Sequence, residues 1–321
     1  MKRIAVVCGG YSGEAAVSMK SAAMVMNNID RKRFDPIKVV IATTGWYAEV
    51  NGVQVDVDKN DFSVMKDGIK IQFEGAFIIV HGTPGENGLL QGYFAMLGIP
   101  HTTGDVLNMA TTFNKKATTR LLGTLGYSVA KSIVLKKQES YSVSFIVQNL
   151  GLPCFVKPNN GGSSIGTSRV NLAEDMHLAL DKAFKEDTEV IIEEFIAGTE
   201  VTCGVIVYQG KVTALPVTEI VSKKEFFDFE AKYQGASEEI TPARIDDSLR
   251  DRIQRSCEDI YKRLDCRGMI RVDFLIREQE IFVVEVNTVP GFTEASIIPQ
   301  QAAVVGINKT ELISAVLDSS F

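Results

Sequence analysis

Alternating apolar and polar positions divide the chain into short buried strands and amphipathic helices. In the first third, three apolar runs typical of strands, RIAVVCG, PIKVVIAT and GAFIIVHG, alternate with helical patterns such as AAVSMKSAAMVMNNI. Strands that alternate with helices favour βαβ units and a parallel sheet covered by helices. We therefore expect an α/β fold in which residues 1–104 form an N-terminal domain built on a parallel sheet.

Two further regions follow this domain. Residues 105–192 open with a helical segment containing NKKATTRLLGTLG and continue into LPCFVKPNNGGSSIG, which combines an apolar strand, a turn and a Gly-Ser loop. Residues 193–321 are rich in strands (EVIIEEFI, EVTCGVIVYQG and FVVEVN) and contain a helical pattern near DDSLRDRIQRSCEDIYKRL. A chain of 321 residues is long for a single core. The length suits two or three packed lobes, and the pattern separates three regions.

Charged and amide side chains interrupt two of the apolar runs in the third region. GMIRVDFLI carries Arg271 and Asp273, and VEVNTVPGFT carries Glu285 and Asn287. Residues two apart in a strand point to the same face, and the turn-like REQE between the runs predicts an antiparallel hairpin. Side-chain oxygens gathered on one face favour Mg²⁺, which would also relieve the repulsion between the carboxylates. The alternative is an edge strand with a polar face.

A second candidate site follows an apolar strand in VKPNNGGSSIG. Lys157 ends the strand, and a loop of small residues contains Ser163 and Ser164. Such a loop can fold over phosphates with its backbone N–H groups and hydroxyls. It is not a Walker A loop because the lysine precedes the glycines. Lys115, in the preceding helix, is either a second phosphate contact or a solvated charge; the loop itself is either a phosphate cradle or a surface loop.

Acidic residues end another buried strand, in IIEEFIAGTE. Glu193 and Glu194 are adjacent, so they face opposite sides of the strand and one of them can face a pocket. Backbone groups at this edge could contact an adenine, and Glu200 could reach a ribose hydroxyl. Without a ligand, the same stretch would be only a strand end with a turn.

Three other stretches carry weaker signals. CGGYSGEAAVS places a glycine-rich turn before a helix, which suits an anion, and its Glu14 is either a helix-dipole partner or a ligand-binding group. FFDFEAKYQG offers Lys232 and Tyr233 before a long loop, which is either a lid or a plain exposed loop. His81 ends a strand, and we interpret it as a hydrogen-bonded structural group rather than a base.

Composition narrows the class of protein. The chain is 45% hydrophobic and 23% charged, which is typical of soluble globular proteins, and its net charge of −6 gives no reason to expect nucleic-acid binding. No apolar run approaches a membrane span, and the first run is shorter than the core of a signal peptide. Five scattered cysteines suit reduced thiols. We expect a cytoplasmic protein without membrane insertion.

Taken together, these stretches resemble the D-alanine–D-alanine ligases of the ATP-grasp superfamily. The resemblance runs in order over nearly the whole chain, through GGYSGEAAVS, HGTPGENGLLQG, NKKATT, VKPNNGGSSIG, EEFIAGTE, FFDFEAKY, RVDFL and EVNTVPGFTEAS. It implies a three-lobed ATP-grasp architecture: an N-terminal substrate-binding lobe, a central lobe, and a C-terminal lobe with the metal site and lid, with ATP held between the last two. It also implies a homodimer and a product used in peptidoglycan precursors.

The resemblance further implies a role for each candidate residue. Mg²⁺, or Mn²⁺ in its place, would be bound by Asp273, Glu285 and Asn287. The phosphates of ATP would be held by Lys115, Lys157 and the loop of Ser163 and Ser164, and the adenosine by Glu193, Ile196 and Glu200. Glu14 would bind the ammonium of the first D-alanine, and Ser296 the carboxylate of the second. Arg271 and the N–H of Gly291 would stabilise the oxyanion. Lys232 and Tyr233 would lie on a loop that closes over the site.

The implied reaction is activation of one D-alanine as an acyl phosphate, followed by attack of the amine of a second. The Lys-Tyr pair with Tyr233 favours D-alanine over D-lactate as the second substrate, since similar ligases that use D-lactate replace it. Ala15-Ala16 and Phe113-Asn114 depart from the residues usual in the family at those places. The competing interpretations are a carboxylate–amine ligase with another acceptor, an ATP-binding module without catalysis, and a dehydrogenase, against which the missing G-x-G-x-x-G fingerprint argues.

Overall fold

The chain forms three β-sheets faced by helices in this computed structural model, which describes residues 1–222 and 237–321. The first sheet has the strand order β6-β5-β4-β3-β2-β1-β7. Its strands are β1 (Lys2–Gly9), β2 (Phe34–Ala42), β3 (Gly45–Val50), β4 (Val53–Asp58), β5 (Ser63–Lys66), β6 (Ile69–Ile71) and β7 (Gly75–Ile78). Helices α1 (Ala15–Asn28) and α2 (Leu89–Leu97) belong to the same lobe.

The parallel part of this sheet confirms the βαβ prediction. β1 pairs in parallel with both β2 and β7. The antiparallel strands β3 to β6 extend the sheet beyond β2, and the sequence pattern did not anticipate them. β4 and β6 are mostly exposed, so they lack the continuous apolar run by which the buried strands were recognised.

The second sheet is four-stranded and antiparallel. Its order is β11-β10-β12-β9, with β9 (Ser132–Lys136), β10 (Cys154–Pro158), β11 (Ser168–Val170) and β12 (Glu189–Glu194). α5 (Val143–Leu150), a short 3₁₀ turn (Ala173–Asp175) and α6 (Met176–Ala183) accompany this sheet. By strand pairing, the central lobe therefore includes all of β12, across the division between residues 192 and 193 expected from the sequence.

The third sheet has the order β16-β15-β13-β17-β18-β8, and β14 pairs with β13. Its strands are β8 (Ser128–Val129), β13 (Thr199–Tyr208), β14 (Lys211–Ala214), β15 (Thr218–Ser222), β16 (Ser237–Ile240), β17 (Ile270–Arg277) and β18 (Glu280–Asn287). The associated helices are α3 (Val106–Phe113), α4 (Lys115–Thr124), α7 (Asp247–Arg263), α8 (Ile297–Val304) and α9 (Lys309–Asp318).

One apolar cluster joins the first lobe to the last. It runs from Ile4 and Val6 in β1 to Leu312 and Leu317 in α9, all nearly inaccessible to solvent. Burial of apolar surface across this boundary stabilises the contact between the two lobes. Within the described residues, none of the helices is long and apolar enough to cross a membrane.

Candidate active site

Two neighbouring cavities lie where the three lobes meet. The first, of about 470 Å³, lies between the second and third sheets; the second, of about 530 Å³, lies between the third sheet and the first lobe. Both volumes are in the range of small-molecule sites. The two cavities share a wall that includes Lys115, Ser163 and Glu285.

The candidate residues divide between these cavities as their expected roles require. The first cavity is lined by candidates for nucleotide binding, namely Lys157, Ser164, Glu193, Ile196 and Glu200, together with Asp273. The second is lined by candidates for substrate binding and transition-state stabilisation, namely Glu14, Arg271, Gly291 and Ser296, together with Asn287. Lys232 and Tyr233 lie outside the described residues, so their expected role on a closing loop stays a prediction.

The predicted hairpin brings the metal-ligand candidates together. β17 and β18 are antiparallel, with Asp273 directly opposite Glu285 and Arg271 opposite Asn287. Nδ2 of Asn287 lies 3.0 Å from Oδ2 of Asp273 and 3.4 Å from Oε1 of Glu285. A single amide group therefore sits against both carboxylates.

This donor set fits a hard cation such as Mg²⁺. All three side chains offer oxygen, and a half-turn of the Asn287 amide would present its oxygen where its nitrogen now lies. In the described part of the chain, no three or more His, Cys, Asp or Glu side chains form a group that could hold a metal. The proposed site consists of two carboxylates and one amide.

Arg271 is held in place by Asp273. Its Nε and Nη2 each donate to one carboxylate oxygen of Asp273, both at 2.8 Å. The hydroxyl of Thr202, on the neighbouring strand β13, donates to Oδ1 of the same carboxylate at 2.5 Å. Two parallel hydrogen bonds fix the plane of a guanidinium, so Arg271 faces the second cavity in one orientation.

The two nucleotide-binding candidates on the second sheet pair with each other. Nζ of Lys157 on β10 lies 2.6 Å from Oε2 of Glu193 on β12, and their side chains are only 14% and 10% exposed. Glu194, the next residue, points the other way and accepts the N–H of Lys131. The opposite orientation of the adjacent acids, predicted from the sequence, is confirmed.

The glycine-rich loop closes against the start of α4. Nζ of Lys115 donates to the carbonyl of Gly161 at 2.6 Å, and the N–H of Lys115 donates to the carbonyl of Asn159. Ser163 and Ser164 have φ values of 52° and 56°, in the left-handed region that L-residues rarely adopt. Strain of this kind often marks a ligand-binding loop.

Glu14 connects the first lobe to this loop. Glu14 precedes α1, yet its side chain makes no capping hydrogen bond. Instead, its Oε1 accepts a hydrogen bond from Ser163, which is 149 residues away in the chain. Gly162 leaves room for this contact, because a Cβ there would lie 2.9 Å from Oε2 of Glu14. The carboxylate therefore faces the second cavity rather than serving only the helix.

His81, which lines the second cavity, is hydrogen-bonded through both ring nitrogens, and its role as a structural group stays a prediction. Nδ1 lies 2.9 Å from the carbonyl of Val289, and Nε2 lies 3.1 Å from the hydroxyl of Ser21. A carbonyl only accepts, so Nδ1 carries the proton and Nε2 accepts from Ser21 when the ring is neutral. Burial lowers the pKa of His81 against the opposing charge of Glu14, which favours the neutral ring.

Glu86 is a further carboxyl in the second cavity, outside the residues predicted from the sequence. One of its oxygens accepts the N–H of Gly82 at 2.8 Å. Burial raises the pKa of Glu86 to about 8, and the negative charge of Glu14 acts in the same direction. The acid in HGTPGENG, in a glycine-rich loop after a buried strand, was the signal that could have identified it.

Two family models match the chain. The model described as "D-ala D-ala ligase N-terminus" matches residues 3–104, and "D-ala D-ala ligase C-terminus" matches residues 121–318. The chain belongs to the D-alanine–D-alanine ligase family. Its α/β fold agrees with the ATP-grasp architecture expected from the sequence.

Individual members of the family are similar over their full length. A curated D-alanine–D-alanine ligase of Porphyromonas gingivalis is 47% identical, over 98% of this chain and 96% of its own. Among solved structures, the VanG D-Ala:D-Ser ligase from Enterococcus faecalis is 34% identical, with a TM-score of 0.87 over 99% of this chain and 98% of its own. The ligase from Bacillus anthracis complexed with ATP is 28% identical, with a TM-score of 0.80 over 99% and 97%.

Proposed function

We propose that this protein joins two molecules of D-alanine into D-alanyl-D-alanine at the expense of ATP. The supporting observation is that the two cavities meet at Lys115, Ser163 and Glu285. ATP with its adenosine in the first cavity would present its terminal phosphate at this junction. A small amino acid in the second cavity would then lie within reach. The names of the similar proteins from P. gingivalis and B. anthracis support the same substrates.

Activation of the first D-alanine would take place at the junction. Glu14 would hold its ammonium, since a buried carboxylate in the cavity wall needs a positive partner. The carboxylate of D-alanine would attack the terminal phosphorus of ATP and form an acyl phosphate, with ADP as the leaving group. Lys115 and Lys157 would neutralise the charge on the transferred phosphoryl group. Mg²⁺, or Mn²⁺, held by Asp273, Glu285 and Asn287 would contribute positive charge at the phosphates.

The second step would use the other side of the second cavity. Ser296 stands at the N-terminus of α8, where a carboxylate is favoured, and would hold the carboxylate of the second D-alanine. The ammonium of the second D-alanine would first release a proton to solvent. The free amine would then attack the acyl carbon, and phosphate would leave. Arg271 and the N–H of Gly291 would donate to the oxygen that becomes negative. Because Asp273 already fixes Arg271, little reorganisation is needed as the charge develops.

The proposed function is tested by the stoichiometry of the reaction. Purified protein is incubated with ATP, Mg²⁺ and D-alanine, and ADP and dipeptide are measured together. We expect one dipeptide for each ADP, with D-alanine preferred over D-serine, D-lactate and L-alanine. Dipeptide formation mainly with D-serine would instead favour the activity named for the E. faecalis neighbour. ATP binding without release of ADP would identify a binding module that has lost catalysis.

Two further properties accompany this proposal. We expect the product to enter peptidoglycan precursors and the reaction to take place in the bacterial cytoplasm. A homodimer is expected from the family resemblance, and sedimentation of the purified protein tests it. A monomer at working concentration would contradict that expectation.

A further inference from the structure

Glu239 is a carboxylate in the second cavity that lies outside the residues proposed to bind the metal, ATP or D-alanine. It lies on β16, at the edge of the third sheet, and pairs with Ile220 on β15. Ile220 stands two residues from Thr218, whose partner on β13 is Thr202. Residues paired across strands, or two apart in one, share a face. Glu239 is therefore on the face that carries Asp273, the partner of Thr202 on β17.

A hydrogen-bond relay connects Glu239 to the start of α8. Nε2 of Gln300 donates to Oε2 of Glu239 at 3.0 Å and to the carbonyl of Ala295 at 2.7 Å. Ala295 immediately precedes Ser296, and both line the second cavity together with Glu239. One glutamine side chain thus places a carboxylate beside the proposed site for the carboxylate of the acceptor.

The charges around Glu239 suit a positive group. Burial raises the pKa of Glu239, while the hydrogen bond from Gln300 and the positive charge of Arg271 favour the ionised form. A carboxylate that is partly removed from water is stabilised most strongly by a partner that carries a positive charge and donates hydrogen bonds. An α-amino acid has its ammonium and carboxylate on the same carbon. A molecule anchored at Ser296 would therefore keep its ammonium within the same part of the cavity.

We propose that Glu239 binds the ammonium group of the acceptor amino acid and thereby makes the second site selective for amines over 2-hydroxy acids. This inference rests on the proposed ligase function. A 2-hydroxy acid has a neutral hydroxyl in place of the ammonium, so its binding would leave the carboxylate of Glu239 without a cationic partner from the substrate. Selection against such acceptors would follow from that unpaired group.

The test compares three acceptors in wild-type protein and in Glu239→Gln, with ATP, Mg²⁺ and D-alanine as the activated substrate. D-Alanine and D-lactate compete for the second site, and the two products are separated and counted. Hydroxylamine replaces the acceptor in a parallel assay. It captures the acyl phosphate as a hydroxamate and does not need an ammonium or carboxylate anchor. Glutamine keeps an oxygen that can accept from Gln300, so the relay to Ala295 is preserved.

In Glu239→Gln we expect the KM for the second D-alanine to rise about tenfold or more, as for loss of one charge-assisted hydrogen bond. The ratio of dipeptide to D-alanyl-D-lactate should fall by a similar factor. Hydroxamate formation should be unchanged, because activation does not use Glu239. In Glu239→Asp, which retains the charge, the selectivity for the amine should be largely retained.

Glu238→Gln is the matched control, because this neighbouring carboxylate is exposed and points to the other face of β16. Its kinetics should equal those of the wild type. An unchanged KM and product ratio in Glu239→Gln would overturn the proposal. A parallel loss of hydroxamate and dipeptide would also overturn it, since the defect would then be general. If wild-type protein forms no dipeptide, the ligase function itself fails, and this inference fails with it.

Discussion

Lys157 and Glu193 form a buried ion pair across β10 and β12, with Nζ 2.6 Å from Oε2. Both residues were expected to contact ATP, the lysine at the phosphates and the glutamate at the adenosine. Without the nucleotide, each supplies the charge that the other needs in a poorly solvated place. Binding of ATP would therefore exchange one partner of Lys157 for another rather than create a new buried charge.

A double-mutant cycle separates the stability and binding roles of this pair. Lys157→Met leaves the Glu193 carboxylate unpaired, and we expect the free energy of unfolding to fall by about 3 kcal/mol. Adding Glu193→Gln should restore much of that loss, because no uncompensated charge remains. The double variant should still bind ATP poorly, since the positive charge at the phosphates is gone. Chemical denaturation and ATP titration measure the two effects.

Equal stabilities for Lys157→Met and the double variant would contradict this account. Lys136→Met serves as a control on the adjacent strand. Lys136 is 70% exposed, and its Nζ is 3.9 Å from Glu189, so its removal should change the free energy of unfolding little.

Ser163 and Ser164 allow a matched test of the contact to Glu14. Both residues have φ near +50°, so an alanine at either position meets a similar backbone cost. Ser163→Ala removes the hydroxyl that donates to Glu14, and we expect the KM for the first D-alanine to rise by about tenfold. Ser164→Ala keeps that contact and should leave this KM nearer the wild-type value. Initial-rate kinetics at saturating ATP provide the comparison, and equal effects would argue against the role of Glu14.

The hairpin of β17 and β18 could be predicted because its signals were local. Arg271 and Asp273, like Glu285 and Asn287, are two apart in apolar runs, and charges in such runs need partners. The register of the turn, in which Phe274 lies opposite Val283, would by itself place Asp273 opposite Val284. A β-bulge between Asp273 and Phe274 shifts the register by one residue, so that Asp273 lies opposite Glu285. The spacing of residues within each strand was therefore enough to predict which of them share a face of that strand. The bulge that brings Asp273 and Glu285 together was not visible in that spacing.

Contacts that depend on distant parts of the chain could not be predicted in this way. Glu239 stands on a short edge strand, and its position in the cavity depends on pairing through β15 and β13 and on Gln300 in α8. The contact of Glu14 with Ser163 likewise joins two lobes. No periodicity within either segment specifies these contacts, because they are set by how the lobes pack.

Removal of one carboxylate from the hairpin should weaken metal dependence without unfolding the protein. In Glu285→Gln, one charged oxygen ligand is lost, and we expect the Mg²⁺ concentration for half-maximal activity to rise by at least about tenfold. Activity of the wild type should disappear with EDTA and return with Mg²⁺ or Mn²⁺. Glu280→Gln, at the exposed start of the same strand, should behave like the wild type. A Glu285→Gln protein with an unchanged Mg²⁺ requirement would exclude Glu285 as a ligand.

Glu86 should make the stability of the metal-free protein fall with rising pH. Its pKa is raised from 4.5 to about 8 in the folded protein, so the folded state keeps a proton that the unfolded chain releases. The contribution of this proton to the free energy of unfolding is complete below about pH 4.5. It falls by up to about 1.4 kcal/mol per pH unit as the pH rises, and it is lost once the pH has passed about 8.

Glu86→Gln cannot ionise, so its melting temperature should fall less than that of the wild type between about pH 5.5 and 8. The glutamine oxygen can still accept the N–H of Gly82, which keeps the loop contact comparable. Melting curves in EDTA across this pH range make the comparison, with Glu174→Gln, at an exposed position, as the control. Parallel pH profiles for wild type and Glu86→Gln would show that Glu86 is ionised in the folded protein, as in the unfolded chain. A flatter profile for Glu86→Gln would establish that the second cavity holds a protonated carboxyl beside Glu14 before any substrate binds.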